Sequence, residues 1–565
     1  MSVVWQFVWQ GWRRLPFWAR SLAISLVLGL VWYLLLYGRY PLYVSNVGWI
    51  YQAGGDMLMH QFGWEWWRTE PWRWPLGQIE RYGYPFGTSV TFLDAIPLVA
   101  IPLRLLAPWL EQPFQYFGLW ELASLVGQVW VSLLLLQQWT RSAWRQALGA
   151  SLLVLSPPLL FRAFYHSSLS AQWIVLLAIW FVLLEWRGRL WRWAWPLLFL
   201  IAVWVHAYFI PMLMPLWLVG LWLRRAALRL RWWMLLVDVA VVLLVVAGGG
   251  AVIGLFGLGL SNSAEMGFGV FSWNLNGFFN PLHFASAYVK ELPKGTGGQY
   301  EGFSYLGLGN LLLLPVGLYL FWERGEWRGR LRLLLSLGAA ALLLMLFALS
   351  HEAYWGQALL WKLKLPQELL QLFGLFRASG RFIWPVFYLL VLFGLAMMLR
   401  HVRRAEWVLV VVLLIQWVDL QPLRAMHYQT EFVRYESPLQ SPFWAQAAQT
   451  NDHLVIIPER RLKQAQEPLA IYAQQNGLTL NLGYFTRSDA QAFADYAAQT
   501  WQDLQAGRVD DRTLYVLTDE NWIAVAEQQL TRGLYRCRVD GFVVVFSAQN
   551  ALASETMGEC RLPEP

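Results

Sequence analysis

"FLDAIPLVAIPLRLLAPWL", residues Phe92 to Leu110, decides how the rest of the chain is threaded. It is apolar enough to pass for a membrane span, yet it carries Pro97, Pro102, Pro108 and Arg104. Proline interrupts a helix, and an arginine in hydrocarbon is costly. The arginines elsewhere supply an independent test. Arg13, Arg14 and Arg20, then Arg141 with Arg145, Arg187 with Arg189, Arg224 with Arg225, Arg324 with Arg328 and Arg330, and Arg403 with Arg404 stand at every second junction between apolar runs. That is the alternation expected when cations stay on the cytoplasmic side. If residues 92–110 crossed once, every later cluster would fall outside. The stretch therefore reads as interfacial or re-entrant, and residues 38–117 as one large extracytoplasmic loop.

Outward from this loop, runs long enough to cross lie near 21–37, 118–138, 144–161, 168–186, 193–223, 231–258, 304–322, 331–349, 382–399 and 405–420. The run 193–223 is too long for one span, and "WVHAYFIPMLMP" with Pro211 and Pro215 offers a turn inside it. Splitting it predicts eleven helices, an N-terminus inside and a C-terminus outside. Composition agrees: of 565 residues 58% are hydrophobic and 14% charged, against about 25% charged in soluble chains. The 38 tryptophans point to many membrane interfaces. The net charge of +8 is explained by the junction clusters, so no nucleic-acid partner is expected. No cleavable signal is evident, and the first run reads as a retained span.

From about residue 422 the composition changes. Short strand-like runs, "HLVIIP", "RTLYVLT" and "GFVVVFS", alternate with stretches of helical period such as "SDAQAFADYAAQTWQDLQAG". The expected fold class is therefore mainly α: a polytopic membrane domain over 1–421 with about eleven spans, followed by a small extracytoplasmic α/β domain over 422–565. Cys537 and Cys560, the chain's two cysteines, both lie in that tail, on the oxidising side where a disulfide survives.

Candidate chemistry sits in the outside loops. Gly54 and Gly55 allow close backbone approach just before Asp56, which opens the helical string "MLMHQFGWEWWR", read as an amphipathic interfacial helix. A carboxylate at a helix N-terminus stays ionised, as a base or cation ligand must. His60 lies one turn later on the same face. Asp94 is the loop's second acid and either caps the following helix or joins the site. Arg162 and His166, in "SPPLLFRAFYHSSLSAQW", and His206 occupy short outside turns. Glu301, in "GGQYEGFSYLGLGN", precedes a span. Arg377 and Arg381, in "FRASGRFIWP", stand one turn apart at the outside mouth of another, where two guanidiniums can grip a phosphate. No Walker loop, HExxH or CxxC is present, so no nucleotide cofactor is expected.

One inside span, a large acidic first outside loop, many further spans and a soluble tail resemble the GT-C superfamily of integral-membrane glycosyltransferases. "GGDMLMHQFGWEWWR", "YGYPFGTSVTFLDAIPL", "FQYFGLW" and "FRASGRFIWP" are similar to a bacterial membrane-protein family of that architecture, over about residues 20–400. The resemblance implies a polyprenyl-phosphate-linked sugar donor, a glycan, lipid or protein acceptor, transfer outside the cytoplasmic membrane, and a first-loop acid as general base, here Asp56. Asp94 and Glu301 would favour an oxocarbenium-like state, and His60, Arg162, His166, His206, Arg377 and Arg381 would bind substrate. Such families often pair two acids, whereas Asp56 is single behind two glycines, so a site with a divalent cation and one without both remain open. Two rival readings stand beside this one: a lipid or glycolipid transporter, and a non-catalytic envelope assembly protein.

Overall fold

A computed structural model describes residues 16–256, 267–457, 462–519, 523 and 534–550, together with the backbone of 560–561. Arg13, Arg14 and most of "GLGLSNSAEMGFG" lie outside the described residues. The chain is mainly helical and divides into two compact units. The first comprises residues 1–44, 116–249 and 264–432, and the second 45–115, 250–263 and 433–565.

In the first unit and at its border, seven helices are long and apolar enough to cross a membrane: Phe17–Tyr37, Phe117–Leu136, Ser167–Trp186, Phe209–Leu228, Trp232–Val252, Leu331–Leu349 and Ser379–His401. The long run 193–223 does break, at His206 between helices Ala194–Val205 and Phe209–Leu228. The helices Ala143–Val154, Ala194–Val205, Leu308–Glu323 and Ala405–Asp419 fall in the other expected spans but are shorter. Leu236, Leu244, Leu335 and Leu342 are all exposed, an apolar surface that suits a bilayer. Trp18, Trp144, Trp193, Trp232 and Trp407 are exposed at helix starts, where indoles suit the headgroup level. Inside, small residues allow close crossing: a Cβ on Gly317 would lie 3.2 Å from the Gly394 Cα. Between two of the long helices, residues 350–381 form a hairpin, Glu352–Trp355 with Ala358–Lys362, and a helix, Gln367–Gly374.

The spans also carry polar residues in their interior. Gln128 donates to Tyr388 Oη at 3.1 Å and Tyr388 to Gln172 at 2.6 Å, while Glu121 and Glu185 are buried. Asp238 is ion-paired with Arg224 at 3.0 Å.

The second unit joins the first loop to the tail. Its six-stranded sheet runs in the order 560–561, 534–539, 542–547, 513–517, 453–457, 479–480, parallel among the last three strands and antiparallel elsewhere. The three strand strings read from the sequence form strands 453–457, 513–517 and 542–547, and helix Ala490–Gln505 is capped by Asp489. Cys537 is disulfide-bonded, and backbone register sets Cys560 opposite it. Residues 97–109, the apolar stretch of the opening argument, form only a short helix and a 3-10 turn, too short to cross.

Candidate functional site

Six of the candidate residues gather in the first unit. Helix Pro157–Arg162 starts on two prolines, which suit a first turn. After it the chain reverses through Phe164 at φ 54 and re-enters a 3-10 turn at Ser167. The reversal turns Arg162 and His166 inward, to 0% and 4% exposure. Glu301 comes from the 3-10 turn Gly297–Gly302 and Arg381 from Ser379–Ile383. What lets these turns meet is glycine: a Cβ on Gly380 would sit 2.6 Å from the Gly302 Cα, closer than any side chain allows.

Across this contact Glu301 Oε2 accepts from Arg162 Nη2 at 2.5 Å and from Arg381 Nε at 2.8 Å. Burial alone would raise the Glu301 carboxyl, but the two guanidiniums outweigh it and hold it well below the usual range. Glu301 is thus a permanent anion between two cations, and its geometry suits charge balance better than proton transfer. Arg381 stacks on Tyr208 at 4.6 Å, whose hydroxyl accepts from the Ala378 amide at 3.0 Å. Sequence reading had paired Arg381 with Arg377. Arg381 instead shares Glu301 with Arg162, while half-buried Arg377 lies over Phe271 at 5.9 Å and makes no ion pair among the described residues. His166 and His206 face each other with ring centres 5.3 Å apart. His206 Nδ1 accepts from the Tyr208 amide. Burial first, then Arg381 and Arg162, hold the His166 imidazole well below its ordinary value, so it is neutral at pH 7.

The bookkeeping of donors is uneven. Arg162 is fully buried, yet its Nε and Nη1 have no hydrogen-bond partner among the described residues. Buried guanidinium donors are normally satisfied, and two guanidiniums face a single carboxylate, an excess of one positive charge. Free guanidinium donors of this kind can take an anion with several oxygens.

The remaining three candidates lie in the second unit. Helix Gly48–Ala53 ends at Gly54, φ 61, and a new helix, Gly55–Trp67, begins at once with Asp56 in its first turn. The glycines admit a carboxylate that sequence reading missed. The Gly55 amide donates to Glu467 Oε1 at 3.1 Å, and a Cβ on Gly54 would lie 2.7 Å from Glu467 Oε2. Burial raises the Glu467 carboxyl and this amide opposes the rise. The helix is not interfacial as expected: every residue from Met57 to Trp67 is buried, because the rest of the first loop packs on its tryptophans and the tail meets it at Gly55 and Glu65. Its tryptophans face protein, and Trp67 takes the Arg104 guanidinium at 3.9 Å.

Asp94 does not cap the next helix, whose N-cap is Ile96. It sits in a left-handed turn at φ 50, nearly buried, with a carboxylate oxygen within 4.8 Å of a His60 ring nitrogen. Gly63 makes room for this turn, since a Cβ there would meet Ala95 at 2.6 Å. His60 and Asp94 could offer a cation two ligands, which alone is fewer than zinc sites use. Glu65, also missed, accepts from the Phe114 amide at 3.0 Å. Burial pushes it up to about 7, with that amide and Arg68 opposing.

Fold and site together define a multi-helical membrane-embedded protein with a buried, cation-rich cluster of side chains and a mixed-sheet tail. The family described as a domain of unknown function, DUF6311, matches residues 26–421, and its C-terminal domain matches residues 443–547. The chain belongs to the DUF6311 family. No curated protein matches it.

Proposed function

We propose that the chain is a membrane glycosyltransferase that moves a sugar from a polyprenyl-phosphate carrier to an envelope acceptor. In this reading the four shorter helices also cross, giving eleven spans in the cytoplasmic membrane, with the N-terminus inside and residues 422–565 outside. The observation that carries it is the buried Arg162, with two unpartnered donors, tied through Glu301 to Arg381. As the bond from the anomeric carbon to the phosphate oxygen breaks, negative charge grows on the lipid phosphate, and fixed guanidiniums stabilise it. As the acceptor oxygen bonds to that carbon, its proton passes to a carboxylate, a role that falls to the first-loop acids, Asp56 before Asp94. His166, neutral and flanked by His206, suits hydrogen bonding to sugar or phosphate.

The test is binding of a polyprenyl phosphate, then transfer from its sugar-charged form, by purified protein. Arg162→Gln and Arg381→Gln should each weaken lipid-phosphate binding by about tenfold or more, the scale of one charged hydrogen bond. A wild-type protein that binds no polyprenyl phosphate sinks the reading. Transport of a lipid or glycolipid is the second reading, favoured by the Gln128–Tyr388–Gln172 chain inside the spans. Lipid translocation without sugar transfer in vesicles would select it.

A further inference from the structure

A second site lies at the other end of the first unit. Helices Trp173–Trp186, Leu308–Glu323, Leu331–Leu349 and Trp384–His401 enclose a cavity of about 1020 Å³, as large as sites for drug-sized ligands, about 300–1,000 Å³. Its walls are apolar, with Leu183, Leu337, Phe393 and Met397 among them. One end is not. There Arg187, Arg330 and Arg400 line the same cavity as Glu326. Glu326 is bridged by Arg330, by Arg400 at 3.3 Å and by His401 at 2.8 Å, while Arg187 donates to Gln138. Arg330 feels burial first and then the like charges of Arg400 and Arg187, so three guanidiniums line a cavity whose one carboxylate pairs with two of them. Such crowding of cations around a single anion is relieved by a further anion.

Position adds to this. The rod Ser379–His401 runs from Arg381 to Arg400, and nineteen steps of about 1.5 Å make roughly 28 Å, close to the hydrocarbon thickness of about 30 Å. The cavity's charged end therefore stands at the opposite membrane surface from the Arg162–Glu301–Arg381 cluster. An apolar groove between spans, ending in basic residues at headgroup depth, matches a lipid with an anionic head.

We propose that this cavity binds an anionic glycerophospholipid of the adjoining leaflet, its phosphate among Arg187, Arg330 and Arg400 and its acyl chains along the apolar wall. The lipid both neutralises the cations and fills the groove between the four helices. The full chain is reconstituted with phosphatidylglycerol or with phosphatidylcholine of the same acyl chains, and retained lipid is measured by native mass spectrometry. Wild type should retain phosphatidylglycerol preferentially. Arg187→Gln and Arg330→Gln should each lower that preference by about tenfold, the scale of one charge-assisted contact. Arg187 is exposed and outside the spans, so its variant folds even if Arg330→Gln does not. Glu326→Gln, which removes the competing anion, should raise the preference, a sign that a purely structural role would not produce. Equal retention of both lipids by wild type overturns the proposal. So does an unchanged preference in Arg187→Gln, or displacement of phosphatidylglycerol from this cavity by a single-chain polyprenyl phosphate.

Discussion

Glu301→Gln separates a structural ion cluster from an anion site. In the native protein one carboxylate oxygen lies 2.5 Å from Arg162 and 2.8 Å from Arg381, and both guanidiniums are buried. Glutamine keeps the shape but leaves two cations facing each other without compensation. Breaking a buried pair in this way costs about 3–5 kcal/mol, so thermal unfolding in a neutral detergent should shift down by several degrees. If the cluster exists to hold a phosphate, that loss is recoverable. A polyprenyl phosphate would then take the place of the missing charge, and at a hundredfold excess over its dissociation constant it should add about 2.7 kcal/mol. Wild type should gain less at the same concentration, because Glu301 already offsets part of the same positive charge.

The assay is tryptophan-monitored unfolding of both proteins over a titration of polyprenyl phosphate, with a neutral polyprenol as control. A structural cluster predicts destabilisation without rescue. An anion site predicts rescue by the phosphate and none by the alcohol. The double variant Arg162→Gln/Glu301→Gln should be more stable than Glu301→Gln alone, since the uncompensated charge is gone, yet it should lose the rescue. Equal stabilisation of wild type and Glu301→Gln by the lipid phosphate would refute the reasoning.

Asp56→Asn should lower sugar transfer by about 100-fold while leaving lipid-phosphate binding intact, the scale of lost general-base help; near-normal turnover would move the base to Asp94. Glu65, raised to about 7 by burial, binds a proton more tightly folded than unfolded. Its contribution is full below about pH 4.5 and is lost as pH rises through 7, on the order of 3 kcal/mol. Denaturant titrations of Glu65→Gln should therefore show a flatter stability profile between these values than wild type, and an unchanged profile would remove Glu65 as its source. Gly380→Ala forces a Cβ against the Gly302 backbone and should weaken lipid-phosphate binding although it touches no charge; an unaffected variant would show that the two turns can separate. A reporter active only outside the cytoplasm, fused after residue 565, should be active, and a stable inactive fusion would put the span count off by one.

What could be read from the sequence was local. Apolar runs of fixed length, the break at His206, the start of a helix at Asp56 and three strand strings are each written in a few consecutive residues, because helix and strand periods repeat within a turn or two. The site residues were legible as types in outside loops, and Arg162, His166, His206, Glu301 and Arg381 do converge. Their partners were not legible. Arg377 stands beside Arg381 in the chain, yet Glu301 and Arg162, 80 and 219 positions away, are its charge neighbours. The burial of helix Gly55–Trp67 was misread because its partners, Tyr82, Arg104 and Phe114 in the loop and Glu467 and Gln474 in the tail, all lie beyond the reach of a local period. No local period reports such a partner.

Glycine is the residue through which these distant pairings still leave a trace. Gly54 and Gly55 read as flexibility beside a carboxylate, and they do admit one, but it is Glu467 rather than a ligand. Gly302 and Gly380 are each small because the other passes against it. In both places a missing side chain marks a close approach whose second half lies far along the chain. The same logic orders the two units chemically. Where backbone meets backbone at Gly302 and Gly380, two guanidiniums gather around one carboxylate. Where backbone meets Glu467 at Gly54 and Gly55, carboxylates accumulate instead, with Asp56 next in sequence and Glu65 raised toward neutrality. On the proposed reading, a phosphate leaving group calls for fixed cations and an acceptor hydroxyl for a carboxylate, so Gly380→Ala is expected to weaken lipid-phosphate binding and Asp56→Asn to slow transfer with binding intact.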